Sequence, residues 1–346
     1  MLRPRPFSSI LPGNRDDMKD CDSELTLSHE VPGRLRLVSQ FTVTGAVWEV
    51  STNSPDILEL MQDEFQPNYD YRFQPDLMLC LYVDSAFLDP GTRVRPHFRA
   101  MEHLYYGTFG PADSMLVDQL NRRVVASLSA SMVRDLSYWK RVILPCLVGI
   151  TSACVGVAPV HCACVVKDGM GLLIHGESGA GKSTLALSLS LSGFSYLSDD
   201  CTYVSESEGE LRCWGLSAPL KLLPESVNFF PRLSGLAPTR SLNGELALEF
   251  YPENEFAISR VSSCAPEWLV FIERTQESGA DFRTISSAEA TQRLAADLEL
   301  LPSCIASQRV RQMEMIDKLV QRECRVLRHG LQPQALAEKL TEFCRR

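Results

Sequence analysis

The 346 residues set 34 basic against 43 acidic side chains, a formal charge of −9, and 45% of them are apolar. That length suits two domains or one large one with ample material for a core. The acidic balance, without any Lys/Arg-rich block, argues against nucleic acid or an anionic membrane as the main partner. The 12 cysteines lie between Cys21 and Cys344 without C-x-x-C spacing, which reads as reduced thiols in a cytoplasmic protein.

Residues 1–38 are rich in Pro, Arg, Asp and Ser and read as a loose tail. Met1 to Pro6 leads into no apolar segment of the secretory kind. A small N-terminal α/β domain is expected over residues 39–125. Within it, Phe41 to Val50 reads as a strand or hairpin, Ser54 or Asp56 caps a short helix running through Glu64, and Leu77 to Val83 is a further strand. Tyr105, Tyr106 and Phe109 read as core or interface aromatics. Nothing before Pro111 carries recognisable chemistry.

Residues 126–346 are expected to form the second, α/β domain. Ser131 to Leu147 has helical character, and Val142 to Val166 holds no charged residue. That stretch is long enough to span a bilayer. Pro145 and Pro159 interrupt it, however, and its last third reads as a strand, so a buried helix followed by a buried strand is the better account. The strand, Val160 to Lys167, ends in Asp168-Gly169, a strong two-residue hairpin signal. Pairing outward from that turn sets Lys167 opposite Met170 and His161 opposite Gly176. Cys162 and Cys164 fall on one strand face, and one such pair does not make a zinc site.

Next come Gly176-Glu177-Ser178-Gly179-Ala180-Gly181-Lys182-Ser183, which fit G-x-x-x-x-G-K-[ST], followed by Thr184. The apolar run Gly171 to Ile174 precedes them as a strand, and a helix over Ser183 to Ser192 follows, closed by Gly193. Glycines let such a loop turn its N–H groups toward an anion, and the helix start adds partial positive charge. Lys182 is expected to reach the β- and γ-phosphates of a nucleotide, and Ser183 to offer its hydroxyl to Mg²⁺.

Phe194 to Ser198 is the next strand and ends in Asp199-Asp200. Strand, crossover helix and strand make a βαβ unit, and ligands of such sheets bind beyond the carboxyl ends of the strands. The loop and the acidic pair therefore face one another. One carboxylate can help hold Mg²⁺ and the other can accept a proton from an attacking hydroxyl. His161, beside the loop by register, can hand a proton across.

Cys201 to Val204 and Leu211 to Leu216 read as strands joined by an acidic turn, and Pro219 to Leu223 carries Lys221. Pro231 to Asn243 reads as a loop whose Arg232 and Arg240 either close over phosphates or are plain surface arginines. Glu267 to Glu273 is a strand. Helices are expected over Ser287 to Leu298, Gln308 to Cys324 and Pro333 to Phe343, with a short strand at Arg325 to Leu327.

Taken together, His161 and Gly169-x-Gly171, then Gly176-x-Ser178-Gly179-x-Gly181-Lys182-Ser183, then Gly193-Phe194 and Leu197-Ser198-Asp199-Asp200, resemble the catalytic domain of HPr kinase/phosphorylase. The likeness is dense over His161 to Val204. It is greater still to HPr-kinase-like proteins in which Ser-Thr-Leu-Ala-Leu follows the lysine. The resemblance implies a phosphate-loop kinase fold related to phosphoenolpyruvate carboxykinase, using ATP and Mg²⁺ to phosphorylate a serine. It implies Asp199 as general base, Lys182, Ser183 and Asp200 around phosphate and metal, and a homo-oligomer. Relatives of the Ser-Thr type include kinases of peptide natural-product precursors. Thr184 stands where HPr kinase proper carries an acidic residue, and the later signature region of that family has no clear counterpart here.

The acceptor is thus expected to be a peptide, a protein or a small molecule bearing a hydroxyl. A small-molecule kinase is the nearest alternative, and a nucleotide-sensing regulator is one of a different class. The Asp199-Asp200 pair speaks against the regulator, because a sensor needs no general base. An ABC-type ATPase and a GTPase fit less well: Leu233-Ser234-Gly235-Leu236 is a poor signature motif, and no Asn/Thr-Lys-x-Asp base reader occurs.

Overall fold

The structure, a computed structural model, describes residues 35–69, 74–84, 96–207, 209–240, 244–277, 279–298 and 301–345. It is a mixed α/β protein that divides into two compact units, with the change at Val155/Gly156. The expected tail lies almost wholly outside the described residues.

The N-terminal unit carries an eight-stranded sheet. Strands β1 (Leu37–Val43) and β2 (Ala46–Thr52) form a hairpin about Thr44-Gly45. Helix α1 (Pro55–Glu64), the two-residue β3 (Gln66–Pro67) and β4 (Leu77–Asp84) follow, then β5 (His97–Met101), β6 (Leu104–Thr108), β7 (Ser114–Asp118) and β8 (Arg123–Ser129). The strand order is β3-β1-β2-β4-β8-β7-β6-β5. The sequence-based boundary at 125/126 falls inside β8, which pairs with both β4 and β7. The unit therefore continues through short helices α2 (Ala130–Arg134) and α3 (Leu136–Tyr138), a π-helical turn and α4 (Leu144–Val155). Leu136–Val155 is long and apolar enough to cross a membrane by length and composition, and 67% of its most apolar 18-residue window is buried inside the fold. Tyr105 and Phe109 are core residues as expected, but Tyr106 is 47% exposed, because it falls on the outward side of the β6 pleat.

The C-terminal unit opens with β9 (Ala158–Val160), β10 (Cys162–Lys167), β11 (Met170–His175), α5 (Lys182–Leu191), β12 (Ser195–Ser198), β13 (Thr202–Ser207) and β14 (Glu210–Trp214). It continues with β15 (Leu220–Leu222), β16 (Thr239–Arg240), β17 (Leu246–Phe250), α6 (Pro252–Phe256), β18 (Ser263–Arg274) and β19 (Ala280–Thr284). It closes with α7 (Ser287–Ala295), α8 (Ser307–Leu319), β20 (Glu323–His329) and α9 (Pro333–Phe343). Strands β15, β17 and β16 form a small sheet. The main sheet runs β12-β10-β11-β18-β14-β13-β9, with β20 also on β18 and β19 on β20.

The register of the β10/β11 hairpin is the one counted from Asp168-Gly169: Lys167 pairs with Met170 and Cys162 with His175. Both turn residues have positive φ, as the tight mirror-image turn requires. Strands β11 and β12 run in the same direction with antiparallel β10 between them, so α5 crosses over one intervening strand. Both faces of this sheet are covered, which is why its central strands read as unbroken apolar runs. Cys162, Cys164, Leu173, Leu269 and Phe271 face a core shared with Leu294 of α7 and Ile316 of α8. Ala163, Val165, Leu172, Ile174 and Val270 face the other, shared with Leu185 of α5 and Leu336 of α9.

Three expectations change. The helix expected over Gln308 to Cys324 ends at Leu319, because Cys324 belongs to β20, which pairs in parallel with β18. Strand β19 was hidden by its half-exposed, charged sequence. The expected loop Pro231 to Asn243 includes a 3₁₀ turn at Pro231–Gly235 and the ladder of β16 on β17, while residues 241–243 lie outside the described residues.

Gly171 sits where β11 shifts register against β18, and a Cβ there would lie 2.6 Å from Cys264 Sγ and 3.3 Å from the Ala265 carbonyl. Gly171→Ala should therefore lower stability by about 1–3 kcal/mol through overpacking. Adding Cys264→Ala should restore part of the loss. Denaturant unfolding of the two single variants and the double variant checks this, and strict additivity would exclude the clash as the cause.

Candidate functional site

The site is built at two matched interruptions of the sheet. On one side β9 and β10 are separated by the single residue His161. On the other, β12 and β13 are separated by Asp199, Asp200 and Cys201. Strand β12 pairs with β10, whereas β13 pairs with β9, with Thr202 opposite Val160. At the crossing, Thr202 Oγ1 donates to the Cys162 carbonyl at 2.9 Å and shares a hydrogen bond with Ser198 Oγ at 2.7 Å. These bonds hold the acidic turn against the start of β10. His161 Nδ1 consequently stands 3.3 Å from Asp200 Oδ1. Burial lowers the basicity of His161, more than the neighbouring Asp200 charge raises it.

The loop Gly176–Ser183 leaves the carboxyl end of β11 and enters α5. Gly176 is required by close approach: a Cβ there would meet Ile272 Cγ1 at 2.8 Å and the Ile272 carbonyl at 3.0 Å. Gly181 is the N-cap of α5 with φ of 98°, a conformation that would strain any other residue. Glu177, Ser178 and Gly179 are exposed, Ala180, Gly181, Ser183 and Thr184 are half-buried, and Lys182 is buried. Lys182 Nζ donates to the Gly176 carbonyl at 2.7 Å and to that of Glu177 at 3.4 Å. Burial lowers the pKa of this ammonium, while the charges of Asp200, Asp297 and Asp199 act to raise it. The first turn of α5 presents N–H groups that have no carbonyl ahead of them in the helix.

Asp199 is buried at 9% exposure. Tyr196 Oη donates to its Oδ1 at 2.9 Å, and the backbone N–H of Lys221 donates to its Oδ2 at 3.2 Å. Burial first, then the charge of Asp200, pushes the Asp199 carboxyl from 3.8 up to about 6. Arg260 secures this arrangement. Its guanidinium lies 4.9 Å over the Tyr196 ring, pairs with Glu253 at 2.9 Å, and donates to the carbonyls of Leu216 and Ala218 at 3.0 Å each. It thereby fixes the strap that leads to Lys221.

The structure brings Lys182, Asp199, Asp200 and His161 within electrostatic reach of one another. It does not bring in the two arginines of the expected basic loop. Arg232 pairs with Glu255 and lies over Phe256, and Arg240 donates to the Gly244 carbonyl. Sequence reading missed Tyr196, Arg260, His175 and Asp297. Tyr196, three residues before Asp199 on the same strand, carried a usable signal. The others reach the site only through tertiary packing.

No protein-family model matches the chain, and no curated protein matches it. Among solved structures the HPr(Ser) kinase/phosphatase from Coxiella burnetii is similar to it, at a TM-score of 0.32 and 15% identity over 54% of this chain and 95% of that one. A TM-score of that size does not establish a shared fold.

The raised Asp199 pKa has a consequence for stability. A folded-state value above the unfolded one means the folded state binds the extra proton between about pH 4 and 6, so this residue's contribution is full at low pH and is lost as pH rises through that window. Asp199→Asn removes the titration. Its stability relative to wild type should therefore climb from about pH 4 to about pH 6 and level off above. Parallel pH profiles of thermal unfolding would contradict the burial of a charged Asp199.

Proposed function

We propose that this protein is an ATP-dependent kinase of the HPr-kinase-like, phosphate-loop type, transferring a phosphoryl group to a hydroxyl, with serine of a peptide or protein as the acceptor class. The observation that carries the reading is the joint placement of Lys182, in a phosphate-type loop at the end of β11, and a buried carboxylate of raised pKa, Asp199, at the end of β12. The two lie within electrostatic reach of one another.

The donor set suits the nucleotide. Backbone N–H groups of residues 176–183, the start of α5 and the Lys182 ammonium are the groups that bind a polyphosphate. Mg²⁺ is usually held by one or two carboxylates together with substrate phosphates, and the Ser183 hydroxyl with Asp200 supplies the protein's share. Mg-ATP held there would supply the phosphoryl group, and its metal would offset charge on the phosphate oxygens.

The rest is the work of this chain. Asp199 accepts the acceptor's proton at a carboxylate oxygen, since each oxygen has a lone pair beyond the one engaged by Tyr196 or Lys221. A base titrating near 6 is ionised at neutral pH yet still basic enough to be useful. His161 keeps Asp200 oriented, which divides the acidic pair between proton and metal. Burial of Lys182 and Asp199 lets their charges act with little screening by water.

Lys182→Ala should weaken Mg-ATP binding and abolish transfer. Asp199→Asn should leave Mg-ATP affinity near wild type while lowering transfer by roughly 10²–10⁴-fold. In the wild type the rate should rise with pH through about 6 and then level off, because the base must be unprotonated. Calorimetry beside phosphate incorporation into serine peptides and small hydroxyl compounds tests all three. Normal transfer by Asp199→Asn sinks the base assignment, and ATP binding without transfer to any hydroxyl leaves a nucleotide sensor.

A further inference from the structure

Cys164 of β10, Cys213 of β14 and Cys264 of β18 face the core shared with α7 and α8, and their side chains meet there. Cys164 Sγ lies 3.9 Å from Cys264 Sγ, and Cys213 is hydrogen-bonded to Cys264 as well. The two contacts differ in kind. Strands β10 and β18 flank β11 on either side, so Cys164 and Cys264 stand two strand spacings apart, about 9–10 Å. Their sulfurs meet only because Gly171 of β11 lies beneath them without a Cβ, which would sit 2.6 Å from Cys264 Sγ and 3.4 Å from Cys164 Sγ. A disulfide tolerates Cα atoms no more than about 7 Å apart. Cys213 and Cys264, by contrast, are direct partners in the antiparallel ladder of β14 and β18. Such partners have Cα atoms about 4.5–5.5 Å apart, within the span of a disulfide.

This pair also stands at a particular place in the chain. The β14/β18 ladder pairs Cys213 with Cys264 and Trp214 with Ser263, and the Gly215 N–H then donates to the Ser262 carbonyl at 3.0 Å. Residues 214–263 leave the main sheet at this point and return to it, so the two cysteines form the neck of that excursion. The excursion carries the small β15-β17-β16 sheet, Arg260, and Lys221 with the backbone N–H that holds Asp199.

We propose that Cys213 and Cys264 are a redox-sensitive thiol pair that closes into a disulfide on exposure to a peroxide, stapling the neck of the 214–263 excursion. Cys264 is the attacking sulfur. Hydrogen bonds from Cys164 and Cys213 pull its pKa below the ordinary thiol range, with a smaller effect from Arg212, whereas donating those bonds and being buried raise Cys164 and Cys213. Cys264 is the second residue of β18, between half-buried Ser263 and exposed Ala265. It lies at the end of a ladder short enough to open locally. Its thiolate attacks one peroxide oxygen and the O–O bond breaks. The departing oxygen takes a proton and leaves as water, or as an alcohol from an organic peroxide. Cys213 then attacks the sulfur of the resulting sulfenic acid. The S–S bond forms, the S–O bond breaks, and the hydroxyl leaves as water with the Cys213 proton. The two thiols give up two electrons and the peroxide takes them up.

The test maps the bond. The full-length protein is reduced, freed of reductant, treated with one equivalent of hydrogen peroxide, blocked with N-ethylmaleimide in denaturant and digested without reduction. Mass spectrometry should find Cys213 joined to Cys264, and dithiothreitol should reverse the link. Cys164→Ala should keep it. Cys213→Ala should abolish it without producing a bond between Cys164 and Cys264. Oxidised wild type should unfold at a higher denaturant concentration than reduced wild type, and Cys213→Ala should show no such shift. Recovery of Cys213 and Cys264 as free thiols while the exposed Cys304 is oxidised overturns the proposal, and so does a disulfide between Cys164 and Cys264. The wild-type map decides the matter even where a variant fails to fold, and it does so whether or not the protein transfers phosphate.

Discussion

The hydroxyl of Thr202 is the point on which the candidate site depends. A strand that stops pairing with one neighbour and resumes with another must leave backbone groups to be satisfied at the break. Here two breaks face each other, and the Thr202 hydroxyl bridges them by donating to the Cys162 carbonyl while bonding Ser198. Without that bridge His161 and the Asp199–Cys201 turn would be two unrelated irregularities. With it, a histidine and two carboxylates leave the sheet at one place, beside a loop that ends the neighbouring strand.

The charges gathered there are costly. A buried ammonium and a buried carboxylate are each disfavoured by the loss of water, and neighbouring opposite charges and hydrogen bonds repay only part of this. The fold accommodates Asp199 with two donors, one of them a backbone N–H whose position is fixed through Arg260 and the strap it grips. It accommodates Lys182 with two loop carbonyls and the charges of nearby carboxylates. Such groups are retained where their reactivity matters more than their contribution to stability.

What was legible in the sequence was what local chemistry dictates. Asp168-Gly169 announced a turn of one geometry, and from it alone the whole β10/β11 register followed. The glycines before Lys182 announced a loop, and the acidic pair after a short strand announced its counterpart. The parts that could not be read share one property: their partners are far away along the chain. Arg260 meets Tyr196 from 64 residues away, and Asp297 meets His175 from 122. Nothing in the neighbours of either residue marks it. The domain boundary was misplaced for a similar reason, since β8 looks like the start of something new until its pairing with β4 is seen. Arg232 and Arg240 follow the plainer of the two readings open to them, since each is engaged by a partner close by in the chain.

Strand β18 spans the divide that the other strands respect. Its first residues pair with β14 and its later ones with β11 and β20. One uninterrupted twelve-residue backbone therefore belongs to both ladders. The two halves of the sheet cannot part like the leaves of a hinge at His161, because that same strand would have to break. The pieces that hang from this spine are the Gly176–Ser183 loop, the strap gripped by Arg260 and the turn bearing Asp297. One continuous strand thus underlies the floor of the candidate site, and the loop, the strap and the turn make its rim.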